Sequence, residues 1–256
     1  MTDTHTHLYM DAFAGDESAA VERAIAAGVT RLVFPGVCPE SHEAMMDLHR
    51  KFPSNTCVAL GLHPTEVGEN WSDVLDEMEK LLPSGDYSAI GEVGIDLHWD
   101  ASNIENQKAA FSRQLRWAQK YDLPLIIHCR DGVEDTLDVI KNAEGKLPTM
   151  IFHSFTSDLN DVRRIREVCD PYFGINGVVT FKNAASLREA LPEIGIEKIV
   201  LETDAPYLAP TPHRGSRNES SYIPLIRDCV AATLGLSSED VERITDNNAD
   251  EIFNSF

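Results

Sequence analysis

Histidines and carboxylates recur in this chain directly after short apolar segments, where turn residues are usual. His5 and His7 are two residues apart in an extended segment, so both side chains point the same way and can chelate one ion. The candidate metal ligands are His5, His7, Glu92, His128, His153 and Asp204. Imidazole and carboxylate without thiolate suit Zn, Mn, Fe or Mg rather than a structural cysteine-rich zinc site. The pattern predicts metal-assisted hydrolysis.

Each of these residues also has an ordinary structural interpretation. His128 and His153 could be buried histidines that hydrogen-bond to backbone. Glu92 could pair with a buried arginine, since an unpaired buried carboxylate costs several kcal/mol. Asp204 and Glu202 could cap the element that follows. Their joint occurrence after apolar runs favours a metal site, and six ligands with one bridging carboxylate suffice for two ions about 3.5–4 Å apart.

The elements that would position these residues are short apolar runs rich in β-branched residues, separated by helical or polar segments. Near-continuous apolar strands are typical of parallel sheets covered by helices on both faces. The runs occupy 2–8, 31–37, 56–63, 87–94, 123–129, 149–155, 171–177 and 198–204. Their ends lie 23 to 36 residues apart, close to the length of a βα unit.

Eight such units predict one α/β domain over residues 1–256, a TIM-type (β/α)8 barrel of parallel strands. Its site would lie at the C-terminal face, where residues distant in sequence converge. The helices include 17–28 and 104–121, and the longest loop-like segment is 205–224, after the last strand. A doubly wound open sheet is the alternative, but no G-x-G-x-x-G follows the first strand.

Composition and charge restrict the class of protein. The chain is 43% hydrophobic and 25% charged, which is enough apolar material for a large core and excludes disorder. A formal charge of -20 is opposite to that of a general nucleic-acid binder, so any nucleic acid would have to be held locally. No long apolar run or leader pattern occurs, so we expect a cytoplasmic protein without membrane association. Five cysteines without a C-x-x-C pair are expected to be reduced.

Short motifs along the whole chain resemble those of the TatD family of metal-dependent deoxyribonucleases, a branch of the amidohydrolase-like barrels. Each motif alone is weak, but their order and spacing together are specific. They are DTHTHL, GLHP, IGEVGID, IIHCRD, FHSF, LETDAPYLAP, HRGSRNE and NNADEIF.

The resemblance implies a role for each matching residue. It implies two divalent ions (Mg, Mn or Zn), with His5, His7 and Asp204 on the first, Glu92 bridging, and His128 and His153 on the second. It also implies that Asp204 and Glu92 are catalytic, and that His63, Arg130 and Arg214 contact substrate or phosphate. The expected reaction is cleavage of DNA by metal-activated water from the 3' end, with Asp204 as the base. RNA is a second candidate substrate, and no obligate protein partner is evident.

Four basic residues could supply the local positive charge that the acidic chain lacks overall: Arg130, Lys182, Arg214 and Arg217. Guanidinium binds phosphate in a bidentate manner, which lysine does less well. The alternative for each residue is a surface salt bridge, which contributes little. Arg214 is favoured because it lies in a loop punctuated by proline and glycine after the eighth strand.

Two departures from the family pattern bear on the substrate range rather than the metal centre. TSDLND follows FHSF where a small Ser-Gly pair is usual, and Ser220 replaces the usual proline. An ester or amide hydrolase, such as an aminoacyl-tRNA deacylase, is one alternative, although Glu92 stands where many cyclic-amide hydrolases carry a modified lysine. A non-catalytic scaffold barrel is another. A nucleic-acid-binding groove is disfavoured because the sequence contains no basic and aromatic stripe.

Overall fold

Eight parallel strands form one sheet in chain order in the computed structural model, which describes residues 1–99 and 101–253. The strands are β1 (Thr2–Asp3), β2 (Arg31–Phe34), β3 (Thr56–Leu60), β4 (Ala89–Asp96), β5 (Leu125–Arg130), β6 (Met150–Phe152), β7 (Tyr172–Ile175) and β8 (Ile199–Leu201). Every adjacent pair is parallel. The predicted α/β barrel is confirmed.

Helices follow the strands and cover the outside of the sheet. They are α1 (Glu17–Ala26), α2 (Pro39–Lys51), α3 (Trp71–Glu79), α4 (Ile104–Tyr121), α5 (Val133–Lys141), α6 (Leu159–Arg166), α7 (Ala185–Ile194), α8 (Ile223–Leu234) and α9 (Ser238–Phe253). The predicted helix at 104–121 is confirmed. Within the described ranges, no helix combines the length and apolar character needed to span a membrane. The cytoplasmic location stays a prediction.

Closure of the barrel joins the segment after β1 to the segment after β8. The Asp204 N–H donates to the His5 carbonyl at 2.9 Å, and the His7 N–H donates to the Ala205 carbonyl at 2.8 Å. These bonds continue the parallel ladder beyond the two short strands. The backbone that carries both N-terminal histidines is therefore fixed directly to the backbone that carries Asp204.

Alternate strand residues belong to two apolar layers. Residues such as Leu125 and Ile127 pack against the helices, whereas Ile126 belongs to a second buried cluster. That inner cluster also contains Ile151 and Val200. Since side chains two residues apart on a strand share a face, the inner positions continue into the barrel mouth. The residues two positions beyond these three are His128, His153 and Glu202.

An irregularity in β4 places Glu92 on the inner face. The register pairs Ile90 with Leu125 but Val93 with Ile127, so β4 has one residue more than β5 over this interval. Such a bulge reverses the side-chain alternation beyond it. Glu92 therefore lies inside β4, which continues past it to Asp96.

Candidate metal centre

Glu92 lies at the centre of the barrel mouth, with one carboxylate oxygen facing three imidazoles. Its side chain is only 4% exposed. His128 Nδ1 and His153 Nε2 each lie 2.6 Å from Glu92 Oε1, and His63 Nε2 lies 3.3 Å from the same oxygen. His128 Nδ1 is 3.2 Å from both neighbouring nitrogens. Three imidazole nitrogens therefore surround one carboxylate oxygen.

The other oxygen of Glu92 faces the N-terminal histidine pair. His5 Nε2 lies 3.2 Å and His7 Nε2 3.7 Å from Glu92 Oε2, and the two nitrogens are 3.1 Å apart. Asp204 Oδ1 lies 3.8 Å from His5 Nε2 and 3.7 Å from His7 Nε2. Ligand atoms around a tetrahedral ion with bonds of about 2.0–2.1 Å are separated by about 3.3 Å. His5, His7 and Glu92 therefore have the spacing of a ligand set, and Asp204 lies beside both histidines.

The alternative in which Glu92 pairs with a buried arginine does not hold. In the part of the chain that the structure describes, no lysine or arginine nitrogen lies within 4 Å of the Glu92 carboxylate, and its ion-pair partners are all histidines. Burying these groups costs free energy unless a cation compensates. The donor set, imidazole nitrogen and carboxylate oxygen, therefore fits divalent ions.

Burial sets the protonation of the imidazoles on the Asp204 side. It lowers the pKa of His5 to about 4 and that of His7 well below its ordinary value. Both rings are therefore neutral near pH 7 and keep a lone pair for an ion. Burial also raises the pKa of Asp204 to about 8, although the nearby His153 opposes this shift.

The electrostatics of Glu92 are different because imidazoles surround it. Burial acts to raise the pKa of this carboxyl, but His153, His63 and His5 outweigh burial and hold it well below its ordinary value. Burial acts to lower the pKa of His153, and the Glu92 carboxylate raises it well above its ordinary value. Glu92 is therefore ionised and attracts positive charge.

A further layer of side chains orients the inner rings. His128 Nε2 lies 2.9 Å from Asp96 Oδ2, and His7 Nδ1 lies 2.9 Å from the Tyr9 hydroxyl. The Tyr9 hydroxyl donates in turn to the Pro35 carbonyl. His7 Nδ1 is therefore the protonated nitrogen, which leaves Nε2 free to bind an ion.

Glu202 lies behind the imidazoles and is fully buried. Its Oε1 accepts a hydrogen bond from the Ser154 N–H and lies 3.7 Å from His153 Nδ1. The His5 and His153 rings stack with centroids 3.8 Å apart. Among the described residues, Glu202 Oε2 and the Nδ1 atoms of both histidines have no hydrogen-bond partner. His5, His153 and Glu202 therefore form a further buried group that could hold an ion.

Two residues at the mouth have left-handed backbone conformations that are uncommon outside glycine. Asp204 has φ 56° and Ser154 has φ 49°. Such conformations cost about 1–3 kcal/mol and persist where surrounding structure enforces them. The Asp204 conformation is held by its hydrogen bond to His5, so the barrel closure orients this carboxylate.

The predicted substrate contacts lie in different surroundings. His63 is inside the imidazole group around Glu92 Oε1, so it is placed to serve an ion as well as a substrate. The Arg130 guanidinium carbon lies 5.6 Å from the centroid of the Trp99 ring, and that of Arg214 lies 4.0 Å from that of Phe181. No carboxylate of the described residues lies within 4 Å of either guanidinium, so both charges are available to an anion.

The other two basic candidates, Arg217 and Lys182, have surroundings that differ from each other. Arg217 forms ion pairs with Asp16 and with Glu219, the latter at 2.8 Å. Lys182 is exposed. Arg217 therefore belongs to a surface ion-pair network, the alternative weighed for it from the sequence.

The two departures from the family pattern have local structural roles. Asp158, in the TSDLND segment, caps α6 by accepting from the Asn160 and Asp161 N–H groups. The Ser220 hydroxyl is buried and donates to Thr6 Oγ1 at 3.1 Å. Both side chains therefore have partners other than the proposed ligands.

Sequence reasoning missed Asp96 and Tyr9, the residues that orient His128 and His7. Asp96 belongs to the IGEVGID motif and lies four residues after Glu92, on the same face of β4. The even spacing of Glu92 and Asp96 along a strand was the sequence signal that could have identified Asp96. Tyr9 lies two residues after His7, in the turn that the Met10 N–H closes on the His7 carbonyl, so no strand spacing signals its contact with His7.

An eight-stranded parallel barrel with this donor set at its C-terminal mouth defines a metal-dependent hydrolase. Comparison with known sequences gives the family. The sequence model named TatD related DNase matches residues 2–254, and the chain belongs to this family. The resemblance inferred from the motifs is confirmed.

Individual relatives agree over nearly the full length of the chain. It is 33% identical over 251 residues to the uncharacterized metal-dependent hydrolase YabD of Bacillus subtilis strain 168, covering 98% of both chains. It is 35% identical over 261 residues to the 3'-5' ssDNA/RNA exonuclease TatD of Klebsiella pneumoniae strain 342, covering 99% of this chain and 97% of the relative. The crystal structure of YJJV, a TatD homolog from Escherichia coli K12, has a TM-score of 0.92 and 26% identity. That match covers 100% of this chain and 98% of the homolog.

Proposed function

We propose that this protein is a metal-dependent exonuclease that removes nucleotides from the 3' end of single-stranded DNA, with RNA as a second substrate. The observation that carries the proposal is the surrounding of Glu92, a buried carboxylate shared between two groups of histidines with no arginine or lysine partner among the described residues. Relatives named 3'-5' ssDNA/RNA exonuclease support the choice of substrate.

Two divalent ions fit the two sides of Glu92. His5, His7, Asp204 and Glu92 Oε2 would hold the first ion. Glu92 Oε1, His128 and His153 would hold the second, with His63 at a similar distance. Bound ions of this kind supply Lewis acidity and an ionised water nucleophile at neutral pH.

The residues of the chain supply proton transfer and substrate binding. The Asp204 side chain is 15% exposed against 4% for Glu92, so Asp204 is the carboxylate that solvent reaches. Bound cations would stabilise the ionised form of Asp204, whose pKa burial otherwise raises, and this carboxylate would then accept the proton of an attacking water. Arg130 and Arg214 would bind phosphate oxygens, since neither is neutralised by a carboxylate of the described residues.

The test is hydrolysis of a 5'-labelled single-stranded oligonucleotide by protein loaded with Mg, Mn or Zn. We expect a ladder that shortens from the 3' end, and at least an approximately 100-fold loss of rate in Glu92→Gln. Glu43→Gln, at an exposed site on α2, is the matched control and should retain full activity.

Three outcomes would overturn the proposal. Full activity in Glu92→Gln would remove the assigned centre. Turnover of aminoacyl-tRNA or a simple amide with DNA left intact would replace the nuclease with the ester or amide hydrolase considered above, and no turnover of any of these would favour the scaffold.

A further inference from the structure

Trp99 is the most exposed large hydrophobic side chain that the structure describes, at 72% exposure. It lies just after β4, at the C-terminal mouth of the barrel. A large apolar ring in water loses the free energy that burial would supply, so a ligand that covers this ring would gain it. Because Trp99 lies beside the candidate metal centre, the ligand that would meet its ring is the substrate.

Hydrogen bonds attach the Trp99 backbone to that centre. The Trp99 N–H donates to Asp96 Oδ1 at 3.2 Å, and the His98 N–H donates to the same oxygen at 2.9 Å. The other oxygen of Asp96 lies 2.9 Å from His128 Nε2. A single buried carboxylate therefore fixes both the loop that carries Trp99 and one proposed metal ligand.

A cation and a second ring orient the indole. The Arg130 guanidinium carbon lies 5.6 Å from the Trp99 ring centroid, within the range of a cation–π contact. The His98 ring contacts Trp99 edge-on, with centroids 5.0 Å apart. Because Trp99 remains 72% exposed, most of its surface stays open to a ligand. The result is a pre-oriented aromatic surface beside a positive charge, in a protein of net charge -20.

A second exposed aromatic residue lies on the opposite side of the mouth. Tyr207 follows β8 and is 55% exposed. β4 and β8 are four strands apart in a barrel of eight, so their ends face each other across the centre. Trp99 and Tyr207 are thus exposed aromatic residues that follow two different strands, and Arg130 ends a third strand.

We propose that Trp99 stacks against an unpaired nucleobase of the strand held at the metal centre, while Arg130 binds a neighbouring phosphate. The inference rests on the proposed nuclease function and names Trp99 as a residue that selects single strands. Every base has a π face, so stacking tolerates any sequence. Bases inside a duplex are already stacked on one another and offer no free face to Trp99.

The first test is equilibrium binding of a fluorescent thymidine oligonucleotide to the metal-loaded protein, with phosphorothioate linkages that resist hydrolysis. Trp99→Ala should weaken binding by about 5- to 100-fold, the range for loss of one base–aromatic stack. Trp99→Phe should restore most of the affinity. Leu81→Ala, at an exposed apolar position beyond α3, is the matched control and should bind as the unaltered protein does.

A second measurement separates stacking from a general effect on the loop. The probes are oligonucleotides that each lack one base, at positions that move step by step from the 3' end. The unaltered protein should bind one of these strands as weakly as Trp99→Ala binds the intact strand. For that oligonucleotide, Trp99→Ala should cause no further loss, because the ring and the base act as a pair. Equal losses from Trp99→Ala on the intact strand and on every abasic strand would overturn the proposal.

The outcomes distinguish this inference from the proposed function. Unchanged affinity in Trp99→Ala, in a protein that degrades DNA, would overturn the role of Trp99 alone. Weakened binding in Trp99→Ala, in a protein that binds but does not cleave DNA, would overturn the nuclease alone. Absence of any oligonucleotide binding or cleavage would overturn both.

Discussion

His128 Nε2 lies 2.9 Å from Asp96 Oδ2, on the edge of the imidazole that faces away from Glu92. Burial acts to lower the pKa of His128, but its hydrogen bonds to Asp96 and Glu92 raise it above the ordinary value. When His128 loses a proton to bind an ion, the Nε2–H that donates to Asp96 would be kept and Nδ1 would supply the lone pair on the Glu92 side. Asp96 would therefore fix both the orientation and the tautomer of a proposed ligand.

The first prediction concerns this carboxylate. Asp96→Asn keeps the size of the side chain but removes its charge, so we expect a 10- to 100-fold loss of metal affinity with the fold retained. Competition with a chromophoric chelator measures the affinity, and circular dichroism checks the fold. Asp131→Asn, at an exposed residue that pairs with His98, is the control and should bind metal normally. Normal affinity in Asp96→Asn would show that His128 needs no such support.

The second prediction concerns removal of metal. The five histidines and two carboxylates of the centre are mostly buried and lack a cation of the chain, so ion binding should stabilise the fold. At free metal about 100 times the dissociation constant, the gain is about 2.7 kcal/mol. For a chain of this size, that corresponds to roughly 5–10 °C in Tm. Calorimetry with and without chelator measures it, and Glu92→Gln should lose most of the shift. A Tm indifferent to metal in the unaltered protein would contradict the assigned centre.

The barrel and the group of proposed ligands were predictable because both depend on local pattern. A strand buried on both faces is apolar throughout, so a polar residue such as His128 or His153 at its end stands out. Helix α4 coincides with the predicted 104–121 because its apolar residues recur with helical spacing along its whole length.

What the sequence could not predict depends on contacts between distant segments. The inward orientation of Glu92 follows from the register of β4 against β5, which no single segment records. The pairing of Trp99 with Arg130 requires that the loop after β4 meets the end of β5 at the mouth. Asp96 acquires its role only because β4 and β5 place it beside His128.

The third prediction concerns acid and the network that contains Arg217. Asp16 accepts hydrogen bonds from Arg23 and Arg217, and these lower its pKa below the ordinary value. A lowered carboxyl pKa gives stability that is complete above the unfolded value of about 4 and is lost as pH falls through the folded value. The difference in unfolding free energy between the unaltered protein and Asp16→Asn should therefore be largest near neutral pH and shrink below about pH 4.

Urea titrations across this pH range measure that difference. Asp11→Asn, at an exposed aspartate of the same segment, is the control and should show no such trend. Equal stability of Asp16→Asn and the unaltered protein at neutral pH would show that the network stabilises nothing.

The last prediction concerns Gly174 in β7, which gives the buried Glu202 carboxylate its space. A Cβ added at Gly174 would lie 2.1 Å from Glu202 Oε2, far inside van der Waals contact. Gly174→Ala should therefore destabilise the fold by about 1–3 kcal/mol, as overpacking of a filled core does. It should also weaken metal binding, because Glu202 lies beside His153. In Glu202→Ala the obstructing oxygen is gone, so adding Gly174→Ala should cost little more. Urea unfolding of the two single variants and the double variant measures this coupling. Strictly additive losses of unfolding free energy would show that the close approach to Glu202 is not what excludes a side chain at Gly174.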